Sequence, residues 1–525
     1  MTMPPLVPSP TSARETGGDV EVPGVVRIAG DLPLTTVQRR FVEDWLGSPT
    51  ELVDADAWLM LTRDDALQDG SYRLVIDETV RIEAAGEIGV LHALQTLRQF
   101  AGPEAFASAP APRTAPVRLA RAEIEDAPRF GFRGVHLDVA RHFVPKAEVL
   151  RFIDIAAAHK LSALHLHLTE DQGWRMPIDA FPLLTEAASY RADSLAAWAP
   201  DGTAHYAGRP HGGFYTKQDL REIVAFAAER GVTVIPEIDV PGHSVAAISA
   251  YPRLGVGAPD VDVWTDWGVN DCILDPSDYT LDFFRTVLDE VMDVFPSPVI
   301  HIGGDEVPYR RWQESADVRQ RATDVGLNSV EELHGWFLAQ LVAHIEARGR
   351  RAGVWHEAVS AALPTSALVN AWSNADGVEA CLGAGYDTIV SCCSHLYLDY
   401  RPSDSGDEPS ACEPVLPMRT LYEFDAVTPG MRTAADQSGA QIAGIQAQLW
   451  TEWLDTQGIR DYHAYPRLAA FAELAWSEPG EYADFERRLR GGHLERLDSA
   501  GVDYRPLDGP LSRQLRPDIR ALTGR

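Results

Sequence analysis

A chain of 525 residues can hold one large domain and a smaller companion. Hydrophobic residues make up 45% and charged residues 23%, the balance of a packed core under a solvated surface. A net charge of −31 opposes nucleic acid and anionic membrane surfaces, so neither is an expected partner.

No run of eighteen apolar residues occurs. The five cysteines, Cys272, Cys381, Cys392, Cys393 and Cys412, are odd in number and form no CxxC pair. That argues against a disulfide framework and a cysteine-held metal. The first twenty residues lack a charged segment followed by an apolar one, so the expected location is cytoplasmic, with secretion left open.

In chain order, residues 1–20 are rich in Pro, Ser, Thr and Gly and read as disordered. Short strand-like runs follow at Val25–Ile28, Ala57–Thr62, Tyr72–Ile76 and Val80–Ala84, then helical spacing over Glu87–Phe100. Residues 21–108 therefore read as a small α+β domain, and 109–128 as a linker. From residue 129 to 506 strands and helices alternate. The strands are expected at Gly134–Val139, Ala163–His167, Val232–Glu237, Val299–Gly303, Ala352–His356, Ala367–Trp372, Tyr386–Ser391 and Ile442–Gln448. Apolar stripes place helices at Pro145–Ala157, Thr216–Arg230, Leu281–Phe295 and Val330–Arg348, with Pro145 in a first turn and a capping box from Thr216 to Asp219. No helix is evident in 392–441, and 507–525 reads as a tail. Eight such units predict an α/β fold, a (β/α)8 TIM barrel preceded by the small α+β domain. An open doubly wound sheet is the alternative, but no glycine fingerprint follows the first strand.

Catalytic residues of such barrels sit at the C-terminal strand ends. Here those ends carry Asp138 and Arg141, then His165 to Gln172, then Glu237, Asp239 and His243, then Asp305 and Glu306. Further along come Trp355, Trp372, Tyr397 with Asp399, and Trp450 with Glu452. Carboxylates and tryptophans at one pole suit a sugar: its weakly apolar faces stack on aromatic rings, its hydroxyls need charged partners, and glycosidic cleavage needs a protonated carboxyl. Adjacent Asp305 and Glu306 disfavour each other's ionisation, which helps keep one proton in place. His165 and His167 point the same way and read as hydrogen-bonded interior residues, with zinc ligation the alternative. Glu237, Asp239 and His243 also admit a metal reading, and Arg141 a purely structural pairing with Asp138.

Several blocks resemble the β-N-acetylhexosaminidases of glycoside hydrolase family 20: RGVHLDVARHF (133–143), HLHLTEDQGWR (165–175), GGFYTKQDLREIVAFAAERGVTVIPEIDVPGH (212–243), HIGGDE (301–306), VWHE (354–357), YLDY (397–400) and QAQLWTE (446–452). They run in family order over roughly 130–475. The resemblance implies that Glu306 is the general acid/base and that Asp305 orients the substrate's acetamido group and offsets the positive charge of an oxazolinium-like intermediate. It implies that Tyr397 donates to the acetamido oxygen and that Trp355, Trp372 and Trp450 wall the sugar. Arg141, Asp399 and Glu452 bind hydroxyls, and His243 with Glu170 supports the acid. Many relatives have Asp-Asp where this chain has Glu170-Asp171, and His356 stands where some have an acidic residue. No cofactor and no metal are implied. The expected activity is exo-hydrolysis of terminal β-linked GlcNAc or GalNAc from an oligosaccharide or glycoconjugate, by substrate-assisted retaining catalysis. Alternatives are release of a disaccharide or modified hexosamine, an inactive carbohydrate-binding barrel, and a metal-dependent hydrolase.

Overall fold

A computed structural model describes residues 2–515 except 110–112, Thr114, Pro200 and Ser410. Eight parallel strands close into a barrel: β1 Phe132–Asp138, β2 Ala163–His167, β3 Thr233–Glu237, β4 Val299–His301, β5 Arg351–Trp355, β6 Leu368–Ala371, β7 Thr388–Val390 and β8 Ile442–Ala447. These fall within a few residues of the expected runs. Register levels the C-terminal ends of β1 to β4: Asp138 pairs with His167, His167 with Glu237, and Glu237 with His301. One ring of polar side chains thus lies under the barrel mouth.

The helices form where apolar stripes met good ends. Lys217–Ala228 starts at the Thr216–Asp219 capping box and buries Leu220, Ile223 and Ala227. Lys146–Ala158 places Pro145 at the N-cap with extended backbone, one position before the first turn where it was expected. The connection between β7 and β8 does contain helices, at Cys393–Leu396, Met418–Tyr422 and Pro429–Ser438. The longest of these buries only Met431, so it carries no stripe to read.

The N-terminal domain is a seven-stranded mixed sheet in the order Ser12–Glu21, Arg118–Asp126, Tyr72–Ile76, Val80–Ala84, Leu59–Arg63, Val26–Gly30 and Thr50–Leu52. This corrects two expectations. Residues 12–21 are not disordered but form the edge strand, antiparallel to Arg118–Asp126. That partner falls inside 109–128 and belongs to the sheet, not to a linker. Residues 516–525, most of the expected tail, lie outside the described residues.

The helix Glu87–Phe100 is buried on nearly every side, between its sheet and the barrel. The two units meet around a buried ion pair. Lys160 Nζ lies 2.6 Å from Asp126 Oδ2 and 4.4 Å from the Trp476 ring centre, and Trp476 Nε1 donates to Asp126 Oδ1 at 2.9 Å. Among the described residues no helix is long and apolar enough to cross a membrane.

Candidate active site

The loop after β4 is built by two glycines. Gly303 has φ +64°, and a Cβ there would come within 1.6 Å of Asp239 Oδ1, so only glycine fits. The same Asp239 oxygen accepts the Gly304 N–H at 3.0 Å. Glu306 follows with φ +49°, as does His243 in the loop after β3. Left-handed backbone at two non-glycine residues costs energy and persists where surroundings enforce it, as functional sites do. At Glu306 the enforcement is visible: its backbone N–H donates to the Glu357 carboxylate just past β5.

These turns place Asp305 and Glu306 on one imidazole. His243 Nε2 lies 3.4 Å from Glu306 Oε2 and 3.9 Å from Asp305 Oδ2. Its Nδ1 lies 3.0 Å from Glu170 Oε1. Asp171 stands farther off, 3.8 Å from that nitrogen, and spends Oδ1 on the Val245 N–H at 2.9 Å. Glu170, not Asp171, is therefore the acidic partner of His243, despite its extra methylene. Glu170 Oε1 also meets Arg141 Nη2 at 2.6 Å.

Arg141 does not simply neutralise Asp138. Asp138 spends Oδ1 on the N–H groups of Ala140 and Arg141, and Oδ2 on Thr451. The guanidinium stacks over Trp450, 4.8 Å from the ring centre, and its Nε and Nη1 are buried without a hydrogen-bond partner. Asp305 Oδ1 and Asp399 Oδ1 are likewise unpartnered. Buried polar atoms normally find partners, so unspent donors and acceptors gathered at the C-terminal end of the barrel are what a polar ligand would satisfy.

The aromatic residues gather as expected, with one difference. Trp355, Tyr397 and Trp450 form one cluster, against which Trp372, Cys393 and Tyr400 pack. Trp355, however, has no exposed surface. It lies beneath the others and donates Nε1 to Glu237 Oε1 at 2.8 Å, so it backs the pocket from below. Trp372 and Glu452 are half-buried, and Trp372 packs edge-on against His356.

Below this layer, the histidines of β2 and β4 converge on Glu237. His167 Nδ1, His301 Nδ1 and His165 Nε2 reach its carboxylate at 2.5, 3.0 and 3.1 Å. Several trios of these groups lie close enough to share a cation. His167 Nδ1 and Glu237 Oε2 stand within direct hydrogen-bonding distance of each other.

The electrostatics revise one expectation. Burial raises Asp305, with Glu237 and Glu306 adding to it. Glu306 itself is lowered, first by its hydrogen bond to His243, because that imidazole stays protonated: against burial, the carboxylates of Glu170, Glu306 and Asp305 together hold it well above the usual histidine range. So two adjacent carboxyls do not by themselves keep a proton on Glu306; His243 opposes it. Burial pushes Glu357 to about 7. Asp399 is raised by burial and Glu452, and Glu452 is raised by burial. Sequence reasoning missed Glu357, which acts on Glu306 through a backbone N–H that no residue pattern announces.

The family model for the catalytic domain of glycosyl hydrolase family 20 matches residues 130–479, and that for the family's domain 2 matches 3–127. A β-hexosaminidase of Porphyromonas gingivalis is 37% identical over 443 residues; the match covers 83% of this chain but 55% of that protein's length. One from Akkermansia muciniphila is 33% identical, covering 81% of this chain and 83% of its own. The exo-β-N-acetylglucosaminidase of Vibrio harveyi, solved with N-acetylglucosamine, superposes with a TM-score of 0.83 at 30% identity, covering 96% of this chain and 79% of that one. The β-N-acetylhexosaminidase of Streptomyces coelicolor A3(2) gives 0.80 at 28% identity, covering 97% and 98%. By sequence and by architecture, the chain belongs to glycosyl hydrolase family 20.

Proposed function

We propose that this protein is an exo-β-N-acetylhexosaminidase that removes a terminal β-linked N-acetylhexosamine with retention, using the substrate's own acetamido oxygen as nucleophile. The observation that carries this reading is the placement of Asp305 and Glu306 on the same imidazole. A double-displacement glycosidase needs two carboxyls on opposite faces of the bond, about 5–5.5 Å apart. Sequence neighbours after one strand, both within 3.9 Å of one histidine nitrogen, are poorly placed to attack from one face while protonating from the other.

The acetamido oxygen closes on the anomeric carbon as a five-membered ring, with the large orientation advantage of an intramolecular attack. Asp305 holds the acetamido N–H and offsets the developing positive charge; Tyr397 donates to the acetamido oxygen. Glu306 protonates the leaving oxygen, then takes a proton from the incoming water. Its proton affinity rises as sugar displaces water from the pocket, against the pull of His243. Arg141, Asp399 and Glu452 close the pocket around the terminal sugar, and Trp372 and Trp450 pack its faces. The test is a panel of aryl β-glycosides of GlcNAc, GalNAc, glucose and lacto-N-biose with products identified. Release of single N-acetylhexosamines, with negligible activity on the glucoside, is expected. Release of the intact disaccharide, or equal activity on glucose, would refute the reading.

A further inference from the structure

Two residues below the pocket touch neither the sugar nor Glu306, yet stand in line with it. Glu237 and His167 are fully buried at the ends of β3 and β2. His167 Nδ1 donates to Glu237, and its Nε2 lies 3.5 Å from Glu170 Oε1. Glu170 meets His243 Nδ1 at 3.0 Å, and His243 Nε2 meets Glu306 at 3.4 Å. The line runs anion, cation, anion, cation, anion over five side chains drawn from β2, β3, β4 and their loops. We propose that His167 and Glu237 are positioning residues for the general acid: as a buried ion pair they set how much of Glu170's charge reaches His243, and so how firmly Glu306 holds its proton.

The argument is one of charge in a dry interior. Glu170 has three cationic neighbours, Arg141 at 2.6 Å, His243 and His167. Charge taken from any one of them is redistributed among the others, because water cannot screen it. His167 faces Glu237 from β3, His165 on its own strand, His136 and Asp138 on β1, Glu170 and Asp239 from the loops above, and the Trp450 ring after β8. The carboxylates in that set outweigh burial and raise His167 to about 10. Its neighbours differ: burial lowers His165 to about 4 and takes His136 well below the usual range. Of His136, His165 and His167, only His167 is held as a cation, and its second nitrogen faces the catalytic layer. Glu170 already orients the His243 ring through Nδ1, so the added pair has its effect on proton affinity.

The inference rests on Glu306 being the acid. The test is the pH dependence of kcat/KM on a substrate with a poor leaving group, where the descending limb reports loss of the Glu306 proton. His167→Gln removes a positive charge, so the Glu306 carboxylate loses stabilisation and the limb moves up by roughly one pH unit. The double variant His167→Gln/Glu237→Gln restores neutrality to the pair and returns the limb toward the parent position. A limb unchanged in His167→Gln, with activity falling only as thermal stability falls, overturns the proposal. So does a shift that persists in the double variant. Near-wild-type activity of Glu306→Gln on the same substrate would instead remove the acid assignment. Should His167→Gln fail to fold, 15N-histidine spectra of the unsubstituted protein decide. Two rings still protonated at pH 8.5, His167 and His243, are expected among the sixteen histidines; fewer than two contradicts the charge alternation.

Discussion

Glu306→Gln separates chemistry from stability more cleanly than any other change in the pocket. The amide is nearly isosteric and can still accept a hydrogen bond from His243, 3.4 Å away. The Glu306 side chain is 40% exposed, so the ion pair it gives up is screened and worth about 1 kcal/mol or less to folding. Loss of general acid catalysis costs ~10²–10⁴-fold, or about 3–5 kcal/mol of transition-state stabilisation. The variant should thus melt close to the parent while losing most activity on natural glycosides. The assay is a series of aryl N-acetylglucosaminides of graded leaving-group acidity. The deficit should be largest for the poorest leaving groups and shrink toward the most acidic phenols, which depart without a proton. A deficit constant across the series would mean that Glu306 orients the sugar and protonates nothing, and the reasoning would fail.

Arg141→Ala should weaken binding of the terminal sugar by roughly 1.5–3 kcal/mol, read as a raised KM with a smaller change in kcat; normal binding of the sugar would return Arg141 to a structural role. Trp450→Ala should raise KM and lower kcat together, because the ring carries Arg141 and confines the acetamido group; a change in melting temperature alone would place it in the core. Glu357→Gln removes a carboxyl that titrates near 7 beside Glu306. Below that pH the parent Glu357 is already neutral, so the profile should match the parent there and differ only above about 7, where ionised Glu357 adds negative charge beside Glu306; an unchanged profile throughout would limit Glu357 to holding the backbone.

The barrel was legible because each buried parallel strand is a short apolar run ending in a charged or aromatic residue, and such ends are where this architecture places its chemistry. The first strand of the N-terminal domain was not. Most of Ser12–Glu21 is exposed on both faces, so no alternation marks it, and Gly17 and Gly18 interrupt the pairing at a bulge. Backbone hydrogen bonds to Arg118–Asp126 and exposed ion pairs of Arg14 with Glu123 and of Asp19 and Glu21 with Arg118 hold it, and neither makes the alternation by which a strand is read. The site shows the same division. Side chains that bind or react, such as Asp305, Glu306 and Arg141, announce themselves at strand ends. Trp355 was placed on the correct strand, but its depth under Tyr397 and Trp450 follows from packing across the barrel. The proton balance of Glu306 depends on His243 and Glu170, which approach from two other loops, and adjacency to Asp305 alone pointed the wrong way.

The central claim is that Asp305 serves a cyclised substrate and no protein carboxylate attacks the sugar. Inhibition by a thiazoline mimic of the cyclised intermediate, measured on the parent and on Asp305→Asn, tests it most directly. The parent should bind the mimic at least ~10²-fold more tightly than free N-acetylhexosamine, as expected for a transition-state-like species. Asp305→Asn, which keeps the shape and loses the charge, should forfeit most of that preference. Binding no tighter than the free sugar, together with a glycosyl ester trapped on Asp399, Glu452 or any other carboxylate, would contradict the account.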